Sequence, residues 1–241
     1  MRRVLVTGMS GLIGTAVRAR LEGRWTLRAL NRRPVEGVET HQADIGDLDA
    51  IAPAFRDVDA VVSAALGTYG GVDILVNNAG TSSAASFEKV DDATWEADIQ
   101  VKLMAAVRFC RLVIPQMKTR GGGRIINVTT VGGKAPAARA LPTSVTRAAG
   151  INLTKSLANE YAPDRILVNT ICLGLVKSAQ WERRAKGDLE AYYREAAKRV
   201  PVGRMGEAEE FADLVAFLVS DRAAYITGTA INFDGGMSAA F

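Results

Sequence analysis

Short apolar runs alternate along this chain with longer segments whose apolar residues recur every three or four positions. The runs at 3–7, 25–30, 38–42, 72–77, 124–129, 166–172 and 229–233 read as strands, and the segments 12–22, 94–118, 144–161 and 208–220 read as helices. Such alternation fits a parallel sheet, because a parallel neighbour is reached through a right-handed helical crossover that covers one face. The pattern predicts a single α/β domain over 1–241, a doubly wound parallel sheet of about seven strands with helices on both faces. Ligands of such sheets bind at the carboxyl ends of the strands.

One stretch reads two ways. Val58-Asp-Ala-Val-Val62 and Val72-Asp-Ile-Leu-Val76 are nearly the same strand pattern, and only one can fill a central slot. The first continues a series at Leu48, Ile51, Phe55, Val58, Val62 and Ala65 with helical steps, so a helix is expected over 47–66. The second ends in Asn77-Asn-Ala-Gly80 before a long helix, as a central strand should.

The first strand runs straight into glycines at 8, 11 and 14 and then into a helix, Val4-Leu-Val-Thr-Gly-Met-Ser-Gly-Leu-Ile-Gly14. Glycine lets the chain turn tightly, lets backbone N–H groups approach a pyrophosphate, and lets the helix pack on the strand it has just left. With strand and helix both in place, the turn reads as a Rossmann-type dinucleotide site built from Thr7, Gly8, Ser10, Gly11, Leu12, Ile13 and Gly14.

Composition narrows the class. Of 241 residues, 48% are apolar and 23% charged, enough to bury a core, and no linker-like stretch divides the chain. After Arg2 and Arg3 the apolar run is only Val4 to Val6, and no run approaches the roughly 18 residues of a membrane span, so a soluble, cytoplasmic protein is expected. Basic residues outnumber acidic ones by 30 to 26 but are interspersed, and the densest basic stretch, 181–186, reads as a solvated helix face, so nucleic acid is not a predicted partner. Cys110 in a helix and Cys172 in a strand read as two reduced core thiols, with no metal-binding spacing.

Four motifs together resemble the short-chain dehydrogenase/reductase family over essentially the whole chain: the Thr7-to-Gly14 turn, Asn77-Asn-Ala-Gly80, Gly123-Arg-Ile-Ile-Asn-Val-Thr-Thr130 and Tyr225-Ile-Thr-Gly-Thr-Ala-Ile-Asn-Phe-Asp-Gly-Gly236. The glycine spacing makes residues 1–66 similar to the extended, epimerase-like branch, while 70–241 look like the compact branch. That mixture points to a chain joined from two branches, by recombination or by engineering. Either branch implies a nicotinamide dinucleotide. At the end of the second strand stand Asn31, Arg32 and Arg33, with no acid for a ribose hydroxyl and two guanidinium groups for a 2′-phosphate, so NADP(H) is favoured over NAD(H); two solvated loop arginines are the alternative. The resemblance puts Asp44 and Ile45 at the adenine and Asn77, Ala79 and Gly80 behind the adenosine ribose. Gly174, Val176 and Ser178 fall at the carboxamide, where the family's Pro-Gly is replaced by Leu173-Gly174.

The family's catalytic Asn, Ser, Tyr and Lys correspond here to Lys102, Thr130, Thr143 and Arg147, and all four depart from the pattern. Thr130 keeps a hydroxyl that can orient a carbonyl. Arg147 keeps a donor for the ribose but is fixed in its charged form. Thr143 is the serious change, because an aliphatic hydroxyl is a far weaker acid than a phenol. Lys102, if buried, offers a replacement acid. Tyr161 has the right spacing to Arg165 but is expected in a surface loop. Tyr192 and Tyr193 lie in the expected substrate lid, 179–200, as packing residues or as groups reaching inward. His41, the one histidine, reads as a structural strand residue.

Three functions stay open: an oxidoreductase for a carbonyl or alcohol substrate with an unusual proton donor, resembling ketone or 3-oxoacyl reductases; a catalytically weak dinucleotide-binding protein; and a non-redox enzyme in the same pocket. The substrate is a small molecule of unread identity. The resemblance also implies a homodimer or homotetramer, with Ala148, Ala149 and Gly150 allowing close helix approach and the tail 237–241 joining dimers.

Overall fold

The computed structural model describes residues 2–7, 12–22, 25–31, 39–42, 70–80, 82–178, 181, 185 and 188–240. Seven strands form one sheet: β1 (Arg2–Thr7), β2 (Trp25–Asn31), β3 (Glu39–Gln42), β4 (Ile74–Asn77), β5 (Gly123–Thr130), β6 (Ile166–Leu173) and β7 (Ala230–Phe233). Their spatial order is β3-β2-β1-β4-β5-β6-β7. Every pairing is parallel. The strand order reverses between β1 and β4, which opens a crevice at their carboxyl ends.

Side-chain alternation assigns the two faces. Val4, Val6, Ile74, Val76, Ile126, Val128 and Ile171 pack on one side with Ala16, Val17 and Leu21 of α1 (Leu12–Leu21) and with Phe211, Val215 and Leu218 of a late helix, Ala208–Leu218. The intervening positions Leu5, Leu75, Ile125, Ile166 and Val168 pack on the other side, with Phe109, Val113 and Met117. Strands covered on both faces need apolar residues at successive positions, which is why these segments read as unbroken apolar runs. Among the described residues no helix is long and apolar enough to cross a membrane.

The expected helix at 94–118 is longer and is interrupted. It begins as α2 (Asp92–Ile99), where the Asp91 carboxylate accepts a hydrogen bond from the Thr94 N–H at 2.9 Å. It widens into one π-helical turn at Gln100–Met104 and continues as α3 (Ala105–Thr119). Such turns insert one residue into the helical ladder and cluster at functional sites; apolar periodicity is blind to a single widened turn. After β5 come α4 (Thr143–Tyr161), α5 (Leu189–Ala197) and α6 (Ala208–Leu218). The remaining strands and helices agree with their predicted spans to within two residues. The helix expected over 47–66 lies outside the described residues.

Two local expectations need correction. Tyr161 is the last residue of α4, not a loop residue; it packs against the Phe109 side of the core, with Lys118 Nζ 5.7 Å from its ring centroid. Gly150 faces inward: a Cβ there would lie 3.3 Å from Thr129 Cγ2, so its smallness serves close packing of α4 on β5 and not an outer contact.

Candidate active site

Thr7, the last residue of β1, ties two strand ends together. Its hydroxyl donates to the Val76 carbonyl at 3.4 Å and accepts from the Asn78 and Ala79 N–H groups at 2.9 and 3.0 Å. The loop leaving β4 is thereby pinned to the end of β1. Deeper in, Asn77 Nδ2 donates to Asn127 Oδ1 at 2.8 Å, and Asn127 Nδ2 donates to Thr154 Oγ1 at 2.9 Å, linking β4, β5 and α4 through neutral groups.

Arg147 lies across this floor. Its Nη1 donates to the Val128 carbonyl at 2.8 Å, and a Cβ on Gly80 would come within 2.5 Å of its Nη2, so glycine is required for the guanidinium to cross there. Burial lowers its pKa to about 10, against the pull of Asp98, which leaves it charged at neutral pH. Its Nε is buried and has no hydrogen-bond partner, and neither has Asn77 Oδ1. Buried polar atoms without partners are uncommon, and these two mark the floor at the carboxyl ends of β4 and β5 as polar.

Beside Arg147 the first turn of α4 meets the π turn. Lys102 Nζ donates to Asp98 Oδ1, one helical turn earlier, and both side chains are 1% exposed. The same ammonium donates to Thr143 Oγ1 at 2.9 Å. Thr143 Oγ1 also accepts from the Ser83 N–H at 3.0 Å, while Asp98 Oδ2 accepts from Thr146 Oγ1 at 2.6 Å. Desolvation pushes Lys102 down from the ordinary lysine value to about 8; the bond from Asp98 opposes this and the positive charge of Arg147 adds to it.

The fold thus brings Lys102, Thr143 and Arg147 into one cluster. Thr130, the last residue of β5, precedes the turn 131–133, where a Cβ on Gly133 would meet the Arg147 backbone at 2.9 Å. Gly174 follows β6 so closely packed on Asp234 that a Cβ would lie 2.5 Å from Asp234 Cβ. Val176 pairs with Gly206 in a single bridge, and Ser178 accepts from the Trp181 N–H through its carbonyl at 2.9 Å. Tyr192 and Tyr193 sit on α5: Tyr192 against Trp181, Tyr193 beneath Lys177 and on a small cluster with Leu175, Val200 and Met205. Both rings pack against neighbouring side chains of α5 and of residues 175–205. Cys110 and Cys172 are buried free thiols, and His41 lies in β3. Ile13 and Gly14 lie in the first turn of α1, which Leu12 opens, and Asn31 ends β2. Gly8, Ser10, Gly11, Arg32, Arg33, Asp44 and Ile45 lie outside the described residues.

Sequence reasoning missed Asp98, Thr146 and Ser83. For Asp98 a signal existed: a lysine on a buried helix face needs a partner, and an acid four residues earlier is the favourable arrangement. Ser83 acts through its backbone N–H, which no side-chain pattern reveals.

Comparison with known proteins bears on this arrangement. A family model described as Enoyl-(Acyl carrier protein) reductase matches residues 28–238. Nodulation protein G of Rhizobium meliloti (strain 1021) is 37% identical, over 98% of this chain and 97% of its own length. L-sorbose reductase from Gluconobacter frateurii, solved in complex with NADPH and L-sorbose, superposes with a TM-score of 0.88 at 32% identity, covering 100% of this chain and 97% of that one. The 3-ketoacyl-(acyl-carrier-protein) reductase from Brucella melitensis, solved with NADH, gives 0.84 at 27% identity, with 98% of each chain covered.

Proposed function

The chain belongs to the short-chain dehydrogenase/reductase family, and from that premise we propose that it is an NADP(H)-dependent oxidoreductase interconverting a carbonyl and an alcohol, with Thr143 and Lys102 handling the proton. The observation that carries this is the bonding of Thr143: its hydroxyl oxygen already accepts from Lys102 Nζ and from the Ser83 N–H. A hydroxyl has two lone pairs and one hydrogen. With both lone pairs engaged, Thr143 acts as a pure donor, and its hydrogen is available to a substrate oxygen.

A bound nicotinamide would supply or accept the hydride. Asn77, Ala79 and Gly80 would stand behind the adenosine ribose of such a cofactor, and the Arg147 guanidinium, which crosses beside Gly80, would be the group to donate to ribose hydroxyls. In the reducing direction the substrate oxygen takes the Thr143 proton as the carbonyl π bond opens. Thr143 regains a proton from the Lys102 ammonium, which recovers one from solvent. Thr130 orients the carbonyl. NADP(H) over NAD(H) rests on Arg32 and Arg33 in the sequence; the neighbours named above were solved with NADPH and with NADH.

Reduction requires protonated Lys102. It should therefore proceed below about pH 8 and fall off above, and oxidation should show the reverse dependence.

The test pairs NADPH binding, read by fluorescence, with NADPH consumption across ketones and aldehydes that include a ketose and a 3-oxoacyl thioester. Lys102→Ala and Thr143→Val should each bind NADPH as wild type does while losing about 10² to 10⁴ in turnover. Unchanged turnover in both refutes the proton route. Tight binding with no consumption by wild type makes the chain a dinucleotide-binding protein instead.

A further inference from the structure

Asp98 has no place in the four-residue catalytic pattern of the family resemblance, yet it is the most enclosed carboxylate near the site. It is 3% exposed and uses both oxygens, Oδ1 for Lys102 Nζ and Oδ2 for Thr146 Oγ1. Its two partners lie on different elements, the π turn and the first turn of α4. Thr146 Oγ1 also touches the Thr143 carbonyl at 3.0 Å, so the carboxylate is coupled to the backbone that carries the donor hydroxyl.

The widened turn matters to this geometry. Lys102 lies within Gln100–Met104, and its ammonium reaches both back to Asp98 and across to Thr143 Oγ1. A buried lysine with no anion would shed its proton, and a buried aspartate with no cation would take one up. Neither alone would be a stable charged group. The charged groups acting on Lys102 are Asp98 on its own helix and Arg147 on α4, of opposite sign.

Building on the proton route proposed above, we propose that Asp98 is the positioning residue of this site: it holds the Lys102 ammonium against Thr143 Oγ1, with Thr146 fixing the carboxylate, and so keeps the site loaded with its proton. Removing the carboxylate leaves Lys102 facing Arg147 without a counter-charge. The lysine then titrates at lower pH and loses its aim.

The test reads Lys102 directly, by NMR titration of lysine side-chain carbons in the full-length protein, with Lys102→Met to assign the resonance. Asp98→Asn is the informative variant because it keeps the shape and removes the charge. Its Lys102 midpoint should fall by about one to three pH units. The high-pH limb of the NADPH-consumption profile should move down with it, while NADPH affinity stays the same. Thr146→Val should give a smaller shift of the same sign, and Thr146→Ser should behave as wild type. If Asp98→Asn does not fold, Thr146→Val and Thr146→Ser decide alone. The proposal is overturned if the Lys102 midpoint does not move in a folded variant, or if it moves while the pH profile stays in place. If wild type consumes no NADPH, the proton route fails, and the titration still decides whether Asp98 sets the charge of Lys102.

Discussion

The ends of β1 and β4 and the first turn of α4 with its facing π turn are both parts of one candidate site, but they are held by different physics. The strand ends are joined by neutral hydrogen bonds: Thr7 to Val76, Asn78 and Ala79, and Asn77 to Asn127. The α4 side is held by ions, with Asp98, Lys102 and Arg147 enclosed together. A neutral frame is insensitive to pH and tolerates conservative exchange. A buried charge cluster depends on every member, because removing one partner strands the other in a medium of low polarity.

The sharpest way to break this contrast is to delete one charge. Lys102→Met leaves the buried Asp98 without its hydrogen-bonded cation and should cost about 3–5 kcal/mol in urea denaturation, whereas the double exchange Asp98→Leu with Lys102→Met should cost little or even stabilise. Equal losses in single and double variants would mean that the pair is not energetically coupled. The same logic constrains any attempt to install the four residues that the family resemblance calls for. Lys102→Asn, Thr130→Ser, Thr143→Tyr and Arg147→Lys together remove the cation that Asp98 needs, so the set should fold well only with Asp98→Val added. If the parent binds NADPH without consuming it, that five-position variant should gain NADPH consumption by up to about 10² to 10⁴; if the parent is already active through Lys102 and Thr143, the gain should be far smaller.

A smaller effect tests the neutral side. Thr7→Val removes an acceptor from two backbone N–H groups and should cost about 2 kcal/mol, independent of pH between 6 and 9. The pH dependence of wild type comes from the other side. Lys102 has a folded-state pKa of about 8 against 10.5 for an unperturbed lysine, so between those values the unfolded chain binds more protons than the folded one. Stability should therefore rise with pH across that window and stay level in this respect below it. The Asp98→Leu, Lys102→Met double variant should lack that rise; a rise that persists in it would assign the effect elsewhere. Smallest of all, Thr7→Ser retains the hydroxyl and should stay within about 0.5 kcal/mol of wild type.

Legibility in the sequence follows the same division. Strands, most helices and the residues at the strand ends were readable because they depend on local order: apolar runs, helical spacing, and Thr7 and Asn77 at the ends of apolar segments. The π turn was not, since a single widened turn shifts the helical phase too little to register in apolar spacing. The role of Gly150 was misread as outward-facing because composition shows that a residue is small and not which surface it serves. The helical character of 189–197 was legible, and Tyr193 became a packing group only once α5 was seen against Leu175, Val200 and Met205.

By itself the sequence determined the parallel sheet and the crevice at the carboxyl ends of its central strands. These follow from the order of residue types along the chain. Only the tertiary structure decided that Lys102 is enclosed, paired with Asp98 and aimed at a hydroxyl 41 residues away. The charge and reach of a buried lysine are set by which distant groups surround it, and burial, counter-charge and direction are properties of packing that no stretch of sequence carries on its own.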